Sequence, residues 1–201
     1  MSDLNTDIKA RVDEAIADDA KLTETVEQLA VGSRRERQHA AAVLHAVAKA
    51  DASLLVPHID KLIDALNRPE AQTRWEVLEA LTLIVPLDAR SCGKAIPEAE
   101  TSLFDEESGP VRLAAMRFLC KIGATTANRS DKVWPLIDEG IQCYHGDLEF
   151  SEMLTAINDF SMGKLSPNVK EQLAERMSFD ATNGKGALKK RAQQIVDNLK
   201  A

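Results

Sequence analysis

A seven-residue step recurs five times along this chain at a nearly fixed interval. Arg37, Arg74 and Arg112 are each followed seven positions later by Leu44, Leu81 and Leu119. The same frame continues from Phe150 to Ile157 and from Leu188 to Ile195. The closing residues lie 37, 38, 38 and 38 positions apart. A fixed period of about 20–50 residues marks stacked supersecondary units, each too small to bury its apolar face alone.

The frame also sets the type of unit. Three and four positions after its head stand Ala40 and Ala41, Val77 and Leu78, Ala115 and Met116, Met153 and Leu154. Apolar residues at this spacing line one face of a helix. The fifth copy reads Arg191 and Ala192, a departure that suits a terminal unit with a wet outer side. Aromatic residues are only 4%, which disfavours sheets. The expected organisation is one domain, 1–201, of paired helices. An N-terminal helix spans about residues 3–17, with Leu4, Ile8, Val12 and Ile16 on one face. Five units follow at about 22–50, 53–86, 89–123, 129–162 and 166–200. Ser33 is an N-cap candidate after Gly32, and Pro110 suits a first helical turn. Asp147 is the expected cap of a helix over 147–161. The last pair is expected at 167–177 and 186–199, split by Asp180–Gly184. Pro57, Pro97 and Pro135 recur in the first helices at gaps of 40 and 38, which predicts a built-in helix start or bend.

These residues resemble the HEAT repeat of the armadillo-like family. The third unit carries the pattern best, in Pro97, Leu103, Asp105, Val111, Arg112, Ala115 and Leu119. The second adds Pro57, Leu62, Leu66, Arg74 and Leu81. Unit four has Phe150 in place of the arginine, and unit five lacks the Asp and the Pro at phase. The resemblance implies an all-α fold, a right-handed α-α superhelix of about five helical pairs with an extra N-terminal helix. It also implies that the arginine ties neighbouring units together through turn carboxylates or carbonyls, and that second helices line the concave side.

Charge narrows the function classes. The net charge is −7, whereas a protein that coats nucleic acid usually carries a basic excess. The charge is uneven. Residues 1–32 hold eight acids against Lys9, Arg11 and Lys21, while residues 185–201 hold five bases against Asp197. Head-to-tail self-association is therefore one expectation. Cys92, Cys120 and Cys143 form neither a disulfide framework nor a metal motif, which suits a reducing cytoplasm. The first residues lack the apolar core of a signal peptide, and no unbroken apolar run suggests a membrane span.

The candidate binding residues lie on the second helices: Arg34, Arg37, Arg74, Trp75, Arg112, Arg117, Lys189 and Lys190. Arg35, Lys121, Lys185 and Arg191 extend this basic set. The competing reading makes the arginine series a structural fastening and the rest solvated helix faces. Cys143, His145, Asp147 and Glu149 alternate through one turn, but helix capping explains that turn without a metal. No nucleophile elbow, phosphate loop or zinc-protease motif occurs, so no catalytic residue, metal or cofactor is expected. The expected function is a non-catalytic scaffold that binds a protein partner on its curved surface, as a monomer or weak homo-oligomer, away from membranes. The alternative is a nucleic-acid module resembling HEAT-like DNA glycosylases, with Trp75 and the second-helix arginines as its only echo.

Overall fold

The computed structural model describes the backbone of residues 2–200 and the side chains of residues 7–200. All regular structure among them is helical. The chain divides into two compact units, the first ending at Ser102 and the second beginning at Leu103.

In the first unit, α1 (Ser2–Ala17) leads into α2 (Asp19–Val31) and α3 (Arg34–Asp51). Asp18 caps α2 by accepting from the Ala20 N–H. At α3, Ser33 accepts from the Glu36 N–H while the Glu36 carboxylate accepts from the Ser33 N–H. That reciprocal capping box satisfies two of the helix's unpaired donors. A 3-10 turn, Ala52–His58, holds Pro57 and delivers the chain to α4 (Ile59–Ala65). α5 (Ala71–Ile84) is the second helix of that pair. The short α6 (Ala89–Cys92) and α7 (Ile96–Leu103) follow, with Pro97 at the second position of α7.

The second unit contains α8 (Gly109–Gly123), α9 (Ala127–Tyr144), α10 (Phe150–Ser161), α11 (Pro167–Asn183) and α12 (Gly186–Asn198). Ser108, Thr126 and Ser166 cap α8, α9 and α11 through their hydroxyls. Pro110 and Pro167 sit in first turns, where the missing N–H has no helical partner to lose.

Packing follows the repeat. In the first unit α2 packs on α3 and α4, and α3 on α5. In the second, α8 packs on α9 and α10, α10 on α12, α9 on α11, and α11 on α12. First helices thus meet first helices and second helices meet second helices. The frame residues fill the space between: Ala40, Ala41, Leu44, Val77, Leu78, Leu81, Ala115, Met116, Leu119, Met153, Leu154, Ile157, Ala192 and Ile195 are all buried. Gly123 permits close approach, since a Cβ there would lie 2.5 Å from Val133 Cγ2 and 2.8 Å from Phe160.

Several expected boundaries move. The expected helix over 53–66 is split, because the residue before proline resists helical geometry and a 3-10 turn absorbs Pro57. Pro97 and the turn before it start a helix, whereas Pro135 lies inside α9. Helix α10 begins at Phe150, so Asp147 stays in the turn and Glu149 takes the cap position. Helix α11 runs through Asp180 to Asn183 instead of stopping near 177. Among the described side chains of α1 Ala15 is buried, while Ile16 is 41% exposed; Leu4 lies outside the described side chains. Residues Arg34–Ala65 are apolar and long enough to cross a membrane by composition. Here Ala40, Val43, Leu44, Val47, Leu55 and Leu62 from that stretch are core residues of the first unit.

Candidate binding surface

Two of the three repeat arginines, Arg37 and Arg112, are internal ties. Arg37, in the first turn of α3, donates through Nε to Glu70 Oε2 at 3.2 Å, and its Nη2 also reaches Glu70 Oε1. Its Nη1 donates to the Gly32 carbonyl at 2.7 Å. Glu70 is the residue just ahead of α5, and it is 4% exposed. The Arg37 guanidinium holds its carboxyl below the usual carboxylate range. Two frame positions further along, past Arg74, Arg112 of α8 repeats the arrangement in the second unit. Its Nη2 donates to Glu149 Oε1 at 2.7 Å, ahead of α10, and its Nη1 to the Asp105 carbonyl at 3.0 Å. The Arg112 guanidinium carbon also lies 5.1 Å from the Tyr144 ring centroid, a cation–π distance.

Each rung does the same work. An arginine closes the turn before its own helix and reaches the carboxylate that stands ahead of the next second helix. Carboxylates at that position also favour the positive end of the helix dipole. Gly109 makes room for the second rung, because a Cβ there would lie 1.7 Å from Glu149 Oε1. Asp105 enters through its backbone: its carbonyl takes Arg112, while its carboxylate accepts from the Glu107 and Ser108 N–H groups.

The two helix layers carry ion pairs of opposite sense. On second helices the base comes first in sequence, as in Arg37 to Glu70, Arg112 to Glu149 and Arg117 to Glu152 at 3.0 Å. His45 Nδ1 and Glu76 Oε2, 2.5 Å apart, follow that order. On first helices the acid comes first. Glu27 pairs with Lys61, Asp60 with Lys94 at 2.9 Å, and Asp138 with Arg176 at 2.6 Å. Exposed pairs of this kind contribute little individually, and the His145–Asp180 pair, from the end of α9 to α11, runs against the first-helix order.

The remaining candidates divide. Arg34 is exposed on α3, while Arg74 and Trp75 are partly buried on α5. Arg74 borders a shallow recess with Leu66, Asn67, Pro69, Pro97 and Glu98. Lys189 donates to the Thr182 carbonyl at 2.8 Å, closing the end of α11, and Lys190 is exposed. Arg191 does not face outward: its Nη1 donates to Thr155 Oγ1 at 2.7 Å, back to the preceding unit. Arg37 and Arg112 are therefore built into the scaffold, and the eight candidates do not form one cluster. Trp134 is core, with its indole N–H given to Gln172 Oε1.

The turn after α9 differs from its counterparts. Gly146 adopts φ +94°, which favours glycine. His145 Nε2 lies 3.1 Å from Asp180 Oδ2 on α11, and its ring stacks at 4.9 Å on Phe150. That contact buries Asp180 to 6% exposure and explains why α11 continues past 177. Cys143 and Asp147 are exposed, and Glu149 is taken by Arg112. Their side chains do not converge. Among the described residues no group of three His, Cys, Asp or Glu has metal-ligand geometry.

Exposed large apolar side chains occur at several places, Val31, Leu87 and Met162 among them, and one stands in this turn. Leu148 is 99% exposed, and Phe179, next to Asp180, is 70% exposed. A cleft of about 250 Å³ opens between the turn, α10 and α12, lined by Phe150, Leu154, Ala187, Leu188, His145 and Arg191. Isolated exposed apolar residues are ordinary; Leu148 stands three positions after His145 and Phe179 one before Asp180 in sequence, and neither is among the lining of the cleft. Sequence reasoning missed this cleft, although the loss of arginine at Phe150 was its visible mark. A larger groove of about 340 Å³ in the first unit has a mixed lining, with Ile8, Ala42 and Val43 beside Arg11, Arg35 and His39.

Comparison with known proteins places the fold. No protein family and no curated protein matches the sequence. Solved structures do match in shape. An engineered protein is similar at TM-score 0.76 and 16% identity, over 93% of this chain and 82% of that one. A designed armadillo repeat protein in complex with the peptide (KR)4 is similar at TM-score 0.75 and 14% identity, over 97% and 92%. The HEAT-like repeat protein of Thermococcus onnurineus NA1 is similar at TM-score 0.54 and 16% identity, over 96% and 92%. At these identities the likeness defines the fold. The chain has an all-α helical-repeat fold of the HEAT and armadillo-like class.

Proposed function

We propose that this chain is a non-catalytic scaffold that binds a protein partner. One observation carries the reading: Arg37 and Arg112 are engaged inside the scaffold, while Leu148, the most exposed large apolar side chain among the described residues, stands in the turn where the repeat arginine is lost. Arg37 and Arg112 each serve both a carbonyl and a carboxylate, which leaves few donors for a ligand. Leu148 and Phe179 are both exposed, and apolar anchors of this kind dominate protein interfaces. The likeness to a designed armadillo repeat protein seen with a bound peptide supports the same class of function. Three free cysteines, two of them buried, fit a reducing cytoplasm.

The nucleic-acid reading has less support. Its best donors are engaged in ion pairs, and the net charge of −7 opposes a polyanion. The test is site-specific photo-crosslinking in native lysate from positions 148 and 179, with position 100 on α7 as control. The expected result is a discrete protein adduct from 148 or 179 and none from the control. Failure of both positions, together with a salt-sensitive mobility shift on nucleic acid, would transfer the proposal to the alternative.

A further inference from the structure

The rung between successive second helices changes chemistry at unit four, and both of its halves change. Phe150 stands where Arg37 and Arg112 stand in their units. Ahead of α12 stands Lys185, a cation at the position that Glu70 and Glu149 hold ahead of α5 and α10. No ion pair can form from a phenylalanine to a lysine. The space between α10 and α12 is instead the cleft of about 250 Å³, with Phe150, Leu154, Ala187 and Leu188 as its apolar lining.

We infer that this cleft docks a short acidic segment of a partner protein, which inserts one bulky apolar side chain between Phe150, Leu154 and Leu188. The inference rests on the protein-binding reading above and names the chemistry of the partner. Size is the first argument. Pockets that enclose a whole small molecule usually measure about 300–1,000 Å³. A cleft of about 250 Å³ falls below that range and suits a single anchoring side chain. Leu148, which follows the lining residue Asp147 in sequence and is 99% exposed, is available for further apolar contact with the same partner.

Charge is the second argument. Lys185, Lys189, Lys190 and Arg191 stand on or just ahead of the first turns of α12. The acids on the turn, α10 and α11 are Asp147, Glu149, Glu152, Asp159, Glu171, Glu175 and Asp180, and of these Asp159, Glu171 and Glu175 do not line the cleft. Glu149 and Glu152 are paired with Arg112 and Arg117, and Asp180 with His145, which leaves Asp147 as the acid of the cleft lining. Exposed charges farther than about 8 Å are largely screened at physiological salt. The cleft therefore presents a positive rim on a chain whose net charge is −7.

A random short-peptide display library selected against the full chain tests this, followed by anisotropy titration of the enriched peptide. The expected winners carry Leu, Phe or Trp flanked by Asp or Glu. Ala187→Glu and the double variant Lys185→Glu/Lys190→Glu change exposed side chains and should each weaken binding about ten-fold or more. Added salt should weaken it too. Enriched peptides that are basic, or whose affinity these variants leave unchanged, overturn the cleft and leave the scaffold reading intact on another surface. No enrichment by a chain with a native helical spectrum removes both. The chain's own segment from Asp13 to Asp19, with Ile16 exposed, has similar chemistry. Salt-sensitive self-association in sedimentation that Ala187→Glu abolishes would assign the cleft to a second copy and overturn the external partner.

Discussion

Arg112 and Glu149 are 37 residues apart in sequence and 2.7 Å apart in space, and they join α8 to the start of α10. Both side chains are more than four-fifths buried by surface area. Truncating Arg112 strands a desolvated carboxylate, which is costlier than the pair is stabilising. Arg112→Ala should lower stability by roughly 1–3 kcal/mol. For a chain of this size each kcal/mol lowers Tm by about 2–4 °C. A double-mutant cycle with Glu149→Ala checks the pairing: a coupling near zero would show that the two side chains act separately.

Gly109 should depend on that rung. The three atoms nearest a Cβ at position 109 all belong to the Glu149 side chain, at 1.7 to 3.1 Å. Gly109→Ala is therefore destabilising in the natural chain and neutral or stabilising when Glu149 is already Ala, since alanine is the better helix former. Equal effects in both backgrounds, read by urea midpoints, would contradict the geometry.

Acid should weaken the first rung. Arg37 holds Glu70 below its ordinary value of 4.5. A carboxyl depressed in the folded state contributes stability above its unfolded value and loses it as pH falls through the folded value. Stability should hold at neutral pH and decline from about pH 4.5 downward, and Glu70→Gln should flatten that decline. Urea unfolding at stepped pH measures it; an unchanged slope in the variant would count against the pair.

Thiol labelling gives an independent check on packing. Burial pushes the Cys92 thiol up to about 12 and raises Cys120 further. Cys143 is exposed. A disulfide-exchange reagent should label one thiol rapidly in the folded protein and three after denaturation, since thiolate and access both control the rate. Rapid labelling of a second cysteine would place Cys92 or Cys120 wrongly.

The sequence made some of this legible for a local reason. Ser33, Pro110, and the buried Leu44, Leu81, Leu119, Ile157 and Ile195 act within a turn or two of where they stand. Capping and periodicity therefore reveal them. Glu70 and Glu149 were not legible as partners, because an exposed acid and a rung acid look alike in sequence. Their arginines lie 33 and 37 residues away. Asp180 shows the same limit. The stretch Asp180–Gly184 reads as a loop, yet a histidine 35 residues earlier pairs with that aspartate and keeps the helix going. Phe150 was visible as a departure, but the cleft beside it needed the third dimension.

The central claim is that repeated residues fasten the scaffold and that binding lies where the repeat lapses. The most direct test measures unfolding midpoint and peptide affinity side by side for Arg112→Ala and Leu148→Glu, using the selected acidic peptide. The account predicts separate effects. Arg112→Ala lowers the midpoint and leaves Kd nearly unchanged, while Leu148→Glu, at a fully exposed site, keeps the midpoint and weakens binding. The reverse pattern, with affinity lost at Arg112 and unaffected at Leu148, would contradict it.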